Sequence, residues 1–141
     1  MSAAWGWLSA QILKVIIYTI VNKDFDPSRL LGDGGMPSSH SATVMGLVTA
    51  SIICYGTDSF EFAVSAILAI IVMHDAMGVR RETGRQAVVL NNMMDLFEQM
   101  GSDLPFEKKL KEFVGHTPLQ VTMGAILGVI IGLVVCEIMI M

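Results

Sequence analysis

This sequence has few charges for its length. Only 16% of its 141 residues are Asp, Glu, Lys or Arg, whereas 53% are hydrophobic, and its mean hydropathy is +0.62. About a quarter of the residues of an ordinary soluble domain are charged. The composition therefore argues against a soluble protein, and we expect residues 1–141 to form a single membrane domain with no nucleic-acid partner.

Cysteine is nearly absent, and this bears on metal and redox chemistry. The two cysteines, Cys54 and Cys136, fall within apolar runs, and neither a CxxC nor an HExxH pattern occurs. The sequence therefore predicts no disulfide framework, no metal site and no cofactor.

Four apolar segments make up most of the chain. They are Ala3–Val21, Ser41–Gly56, Phe60–Met77 and Leu119–Met141. A bilayer core about 30 Å thick needs roughly 20 helical residues, within a range of about 17–25. The first segment lacks a basic leader and a small-residue cleavage site, so we interpret it as a retained helix. The sequence predicts an all-α membrane bundle of about four transmembrane helices.

Two polar loops, 22–39 and 78–118, separate these segments and hold nearly all of the basic residues. The first carries two and the second six, whereas the turn at 56–60 and both termini carry none. The positive-inside rule places both loops in the cytoplasm. Within the second loop, Glu107–Phe113 mixes apolar and charged residues in a pattern that predicts a short interfacial helix.

The last segment carries three glycines at a spacing of four: Gly124, Gly128 and Gly132. Small residues at this spacing allow helices to approach closely in lipid. We expect a packing seam, formed either within the chain or between two copies in a homo-oligomer.

The segment from Gly34 to Ala42 has features of a phosphate-binding loop. Pro37 suits the first turn of a helix, and the serines after it can cap that turn. A helix N-terminus presents free N–H groups and partial positive charge to an anion. We therefore predict that Ser38 and Ser39 bind phosphate, with His40 beside them as a proton donor.

Lys14 lies in the middle of the first apolar segment, where a charge is costly. Gln11 and Tyr18 share its helical face at spacings of three and four. Two interpretations are open: Lys14 points into the bundle, where it could bind phosphate, or it extends to the membrane surface.

Four charged residues cluster where the third segment ends: Asp75, Arg80, Arg81 and Arg85. Arginine suits phosphate because its planar fork donates two hydrogen bonds at once. The cluster is either an anion clamp or a salt-bridged cap. We predict that one of the three arginines binds phosphate and that Asp75 holds it in place.

A histidine precedes the last apolar segment, as another precedes the second. His116 and His40 are thus expected at the same membrane face, with the arginines between them in sequence. In phosphoryl transfer, one histidine can attack phosphorus while the other protonates the leaving oxygen. Together these groups indicate a phosphoryl-transfer site.

With these motifs, the chain resembles the divergent branch of the type 2 phosphatidic acid phosphatase family, which is related to the vanadium haloperoxidases. The resemblance rests on Ala10-Gln11 with Lys14, the Gly34 to Ala42 segment, Asp75-Ala76 through Arg85-Gln86-Ala87, Leu90-Asn91, and Gly115-His116-Thr117-Pro118. By resemblance, His116 is the nucleophile that forms a phosphohistidine and His40 the general acid. The resemblance also implies that Ser38 and nearby N–H groups hold the phosphate.

The chain departs from the main family at several positions. Gln120 stands where the family has the aspartate that orients the nucleophile, and Asp75 is a candidate substitute from another helix. Leu110 replaces an arginine six residues before the nucleophile, so one of the arginines at 80, 81 or 85 would act instead. The first family motif is also missing, and either Lys14, or Lys23 with Arg29, offers a loose replacement.

Two functions remain open from the sequence. The first is a membrane lipid phosphatase that hydrolyses a lipid phosphomonoester or pyrophosphate at the cytoplasmic side of the plasma membrane. The second is a phospholipid-binding or transport protein on the same scaffold, without turnover. The loss of the aspartate at position 120 favours the second.

Overall fold

A computed structural model describes residues 1–23, 25, 35–100, 109–110 and 115–140. Its helices are α1 (Ser2–Asn22), α2 (Ser39–Tyr55), α3 (Phe60–Met77), α4 (Val79–Gln99) and α5 (Pro118–Ile140). No strand occurs in these ranges. The predicted all-α membrane bundle is confirmed.

Three stretches are long and apolar enough to cross a membrane: α1, the run from α3 into α4, and α5. Helix α2 is shorter, with 17 residues, which at about 1.5 Å per residue gives roughly 25 Å. It nevertheless contacts α1, α3 and α5, so it lies at the centre of the bundle.

Rows of small residues bring α2 and α5 together. Cβ atoms added at Gly124, Gly128 and Gly132 would collide with Ser38, the N-cap residue of α2, and with Ala42 and Thr49 of α2, respectively. The residue numbers rise together along both helices, so α2 and α5 run parallel. The predicted glycine seam therefore packs within the chain, and the predicted homo-oligomer would have to use another surface.

Helix α1 packs on α2 in the same way but runs antiparallel to it. A Cβ atom at Gly6 would lie 2.6 Å from the carbonyl oxygen of Ala42, and one at Gly46 would lie 3.0 Å from that of Ser2. In lipid, helices associate through close van der Waals packing and not through apolar burial from water. Small residues on both sides permit that packing here.

The polar stretch after α3 contains a longer helix than the sequence analysis anticipated. Gly78 donates its N–H to the carbonyl of His74 and separates α3 from α4, which then continues for 21 residues. Charged residues interrupt the apolar pattern of α4, which concealed its length in the sequence. The short helix predicted at Glu107–Phe113 lies mostly outside the described residues.

Two backbone hydrogen bonds join three helix ends at one end of the bundle. The N–H of Ser38, before α2, donates to the carbonyl of Gln120 in the first turn of α5 at 3.0 Å. The N–H of His116 donates to the carbonyl of Ala76 near the end of α3 at 2.9 Å. The N-termini of α2 and α5 are therefore held beside the C-terminus of α3.

We predict that Gly128→Leu destabilises the fold, because its side chain would have to enter the space filled by Ala42 and Met45 of α2. Overpacking typically costs about 1–3 kcal/mol. The thermal midpoint in detergent, followed by size-exclusion chromatography, should fall clearly. Ala63→Leu, on the exposed side of α3, is the matched control and should leave the midpoint unchanged. Equal midpoints for both variants would contradict the seam.

Candidate active site

The first turn of α2 forms the floor of the candidate site. Ser38 is the N-cap residue, and its hydroxyl accepts a hydrogen bond from the N–H of Ser41 at 3.4 Å. Ser38, Ser39 and Ser41 are all buried. The predicted cap is present, and its serines lie inside the bundle and not on its surface.

Lys14 of α1 reaches this turn from the neighbouring helix. It is only 5% exposed, and its Nζ donates a hydrogen bond to the hydroxyl of Ser39 at 3.2 Å. Of the two interpretations left open by the sequence, the structure shows the side chain pointing into the bundle. A buried ammonium at the N-terminus of α2 adds to the positive potential that this helix end already provides.

The two histidines lie next to each other at the paired helix ends. The ring centroids of His40 and His116 are 6.0 Å apart, and the rings are inclined by 61° in an edge-on arrangement. His116 is buried, while His40 is half-buried. The parallel packing of α2 and α5 therefore brings together two residues that are 76 positions apart in the sequence.

A capping box at the start of α5 orients His116. The Oε1 atom of Gln120 accepts the N–H of Thr117 at 3.0 Å, and the N–H of Gln120 donates to the Thr117 hydroxyl at 3.3 Å. The same Oε1 lies 3.2 Å from Nδ1 of His116. Because Oε1 only accepts, Nδ1 must carry the proton, which leaves the lone pair of His116 on Nε2.

The surroundings of His116 favour its neutral form. Burial lowers its pKa below the ordinary value of 6.5, the Gln120 hydrogen bond opposes this, and the nearby charges of Lys14, His40 and Arg80 lower it further. At neutral pH the Nε2 lone pair is therefore available to a nucleophilic reaction or a hydrogen bond.

The three arginines of the cluster lie in different surroundings, and only Arg80 is paired with Asp75. The Nε of Arg80 donates to Oδ2 of Asp75 at 2.9 Å, and the Arg80 charge acts on His116. Arg85 instead pairs with Glu82 at 2.6 Å on the exposed side of α4. Arg81 is half-buried, and its backbone meets Gly115. Asp75 therefore holds Arg80, and the contact to Nδ1 of His116 comes from Gln120.

Two further residues fix the backbone before His116: Gly115 directly, and Asn91 at Leu110, six residues earlier. Gly115 has φ +88°, and an added Cβ would lie 2.5 Å from the backbone nitrogen of Arg81, so glycine is required there. Asn91 of α4 bonds both the N–H and the carbonyl of Leu110, each at 2.9 Å. In the sequence, the contact between Asn91 and Leu110 was indicated only by the presence of an asparagine within an amphipathic helix.

Comparison of the sequence with known proteins gives two matches that cover most of the chain. The sequence profile of the divergent PAP2 family matches residues 1–131. The chain is 44% identical over 143 residues to an uncharacterised membrane protein, YuiD, of Bacillus subtilis (strain 168), and the alignment covers 95% of this chain and 90% of YuiD. No solved structure matches the chain.

We predict that Gln120→Glu raises the pKa of His116 and keeps the fold. Glutamate preserves the capping box but places a negative charge beside Nδ1, which favours the imidazolium. Histidine NMR of the protein in nanodiscs, titrated with pH, measures the shift. The resonances of exposed His74 serve as the internal control. An unchanged His116 titration would contradict the Gln120 contact.

Proposed function

The chain belongs to the divergent PAP2 family, and we propose that it is a membrane lipid phosphatase. Its substrate would be a lipid phosphomonoester or pyrophosphate, and its site would lie at the cytoplasmic side of the plasma membrane. His116 would be the nucleophile and His40 the general acid.

The observation that carries this proposal is the 6.0 Å separation of the two imidazole rings. A nucleophile ready to attack lies about 3–3.5 Å from its target, and a general acid lies about 2.6–3.2 Å from the atom that it protonates. The path from one ring nitrogen to the other also includes the P–O bond, and the 6.0 Å separation joins ring centres and not nitrogens. The two rings are near neighbours, and we infer that nitrogens of both can face one phosphoryl group.

In the first half of the reaction, Nε2 of His116 attacks phosphorus. The N–P bond forms as the bond between phosphorus and the lipid oxygen breaks, and protonated His40 donates its proton to that oxygen. The products are the lipid alcohol, or lipid monophosphate from a pyrophosphate, and a phosphohistidine. The tautomer set by Gln120 supports this step because it leaves the lone pair on Nε2.

In the second half, water attacks the phosphohistidine. His40, now neutral, accepts a proton from that water as the N–P bond breaks. Inorganic phosphate leaves, and both histidines return to their starting protonation states. No other reactant is needed, so the cycle is a complete hydrolysis.

The groups around the histidines suit the charge that develops on the phosphoryl oxygens. Lys14 supplies a buried positive charge, and the first turns of α2 and α5 supply partial positive charges. Arg80 is fixed through its Nε by Asp75, which leaves its two terminal nitrogens able to donate to phosphate. We assign Lys14, Ser38, Ser39 and Arg80 to phosphate binding.

One observation favours a second candidate, a protein that binds phospholipid head groups without turnover. The residue that orients His116 is the neutral Gln120, which cannot stabilise an imidazolium as a carboxylate would. Such a protein would bind lipid phosphate at the same residues and release none.

We predict that His116→Ala abolishes phosphate release from a panel of lipid phosphates, because it removes the nucleophile. His40→Ala should slow release by about 10²–10⁴-fold for alkyl phosphates, whose poor leaving groups need a proton. Aryl phosphates should lose less. Phosphate release by purified protein in mixed micelles measures all three effects.

His74→Ala is the matched control, since His74 is exposed on α3, outside the histidine pair. It should retain the parental rate. Equal losses on alkyl and aryl substrates would argue against His40 as the acid. If the unmodified protein binds lipid phosphates but releases no inorganic phosphate, the second candidate function, binding without turnover, is the correct one.

We also predict that Arg80→Lys weakens phosphate handling, measured as kcat/KM or as lipid affinity, while Arg85→Lys does not. Lysine keeps the charge but loses the fork that bonds Asp75 and phosphate together. A lost charge-assisted hydrogen bond of about 1.5–3 kcal/mol corresponds to at least roughly tenfold weaker substrate handling. Arg85 pairs with Glu82 and is the matched control. The measurement is kcat/KM for phosphate release or, if the protein only binds, its affinity for lipid phosphate. Equal values for Arg80→Lys and Arg85→Lys would contradict the assignment of Arg80 to phosphate binding.

A further inference from the structure

Helix α4 exposes a stripe of large apolar side chains. Its members lie on one side of the helix and are between 47% and 80% exposed: Val79, Val89, Leu90, Met93, Leu96 and the C-cap residue Met100. From Val89 to Met100 their spacing of mostly three or four residues is that of an amphipathic helix, and Val79 lies ten residues earlier on the same side. We call this set the α4 stripe.

The opposite side of α4 is already covered by the chain itself. Its buried residues are Gly84, Ala87 and Asn91, which are small or polar. Asn91 holds the backbone of Leu110, and the first turn of α4 packs against Gly115. Among the described residues, the buried contacts of α4 lie on its small and polar side, and the α4 stripe lies on the opposite side of the helix.

The α4 stripe follows directly from a surface that faces lipid. Helix α3 crosses the membrane, and its own exposed residues include Ile67, Ile70 and Ile71. Only Gly78 separates α3 from α4, and Val79, the first residue of the stripe, is 63% exposed. The apolar exterior of α3 thus reaches Val79 at the start of α4, and the exposed polar residues Glu82 and Gln86 separate it from the rest of the stripe.

We propose that α4 lies in the plane of the membrane, with the α4 stripe inserted among the phospholipid acyl chains. An in-plane helix buries its apolar side at the boundary between head groups and acyl chains. The partner is the bilayer and not a second copy, because α4 begins one residue after the membrane-crossing α3 ends, which places its apolar side next to the bilayer. This inference does not depend on the phosphatase proposal.

Charge does not drive this insertion. The three arginines of α4, at positions 80, 81 and 85, are balanced by the acidic residues at 82, 95 and 98, so the helix carries a formal charge of 3 − 3 = 0. Two of these acidic residues are paired, Glu82 with Arg85 and Asp95 with Lys109. The depth of α4 should therefore be independent of the fraction of anionic lipid.

The position of α4 in the membrane also determines the depth at which the histidine pair lies. Its first turn touches Gly115, which precedes His116. An in-plane α4 would hold His116 near the depth of the lipid head groups, where a phosphate on a membrane lipid is found.

Environment-sensitive labels on adjacent residues test the proposal. In a full-length Cys54→Ser, Cys136→Ala background, Met93→Cys on the stripe and Asn92→Cys beside it are labelled with NBD and placed in phosphatidylcholine nanodiscs. Monodisperse elution confirms that each variant folds. We expect the label at 93 to be quenched by doxyl lipids, and the label at 92 mainly by a water-soluble quencher. Adding phosphatidylglycerol should change neither result.

Two outcomes would overturn the proposal. Equal access of the aqueous quencher to both labels would show that the stripe faces water. Protection of position 93 from both quenchers, together with a disulfide cross-link between copies at that position, would show that a second chain covers the stripe.

Discussion

The close packing of α2 on α5 is the constraint on which the rest of the structure depends. Glycines at 124, 128 and 132 place no α5 side chain between the two helices, so α2 packs directly on the α5 backbone and the helices run parallel. Parallel neighbours place two N-termini side by side, and each N-terminus carries one histidine. The hydrogen bond from Ser38 to Gln120 fixes the register of these ends. A larger residue in the seam would therefore disturb the site as well as the stability of the bundle.

The site also shows how one residue can serve both fold and chemistry. Gln120 completes the capping box of α5, and the same oxygen determines which nitrogen of His116 carries a proton. A glutamine in this role orients the ring but adds no charge, so burial and the neighbouring cations keep the histidine neutral. Protonation of His116 is disfavoured in the folded protein relative to the unfolded chain. Its contribution to stability is thus present above about pH 6.5 and is lost as the pH falls below that value.

Much of the fold followed from the sequence, because the apolar segments are long and the glycine spacing is regular. The residues from which the site is built were also recognisable, since histidines before two apolar helices and a serine-rich N-terminus have a direct chemical interpretation. Their exact partners were only partly predictable. The pairing of Asp75 with one of the arginines was expected, but the sequence did not identify Arg80 as that arginine. It left two directions open for Lys14, which bonds Ser39, and it did not indicate that Gln120 would bond His116. These contacts depend on the register between helices, which the packing of small residues sets only in three dimensions.

The central claim is that His40 and His116 jointly bind a phosphoryl group. The most direct test is ¹⁵N-histidine NMR of the full-length protein in nanodiscs, titrated with orthovanadate, a phosphate analogue that accepts an additional ligand. We predict a saturable shift of the Nε2 resonance of His116 with a concerted change at His40, while exposed His74 stays unchanged. An equal response of all three histidines, or none at His40 and His116, would contradict the account.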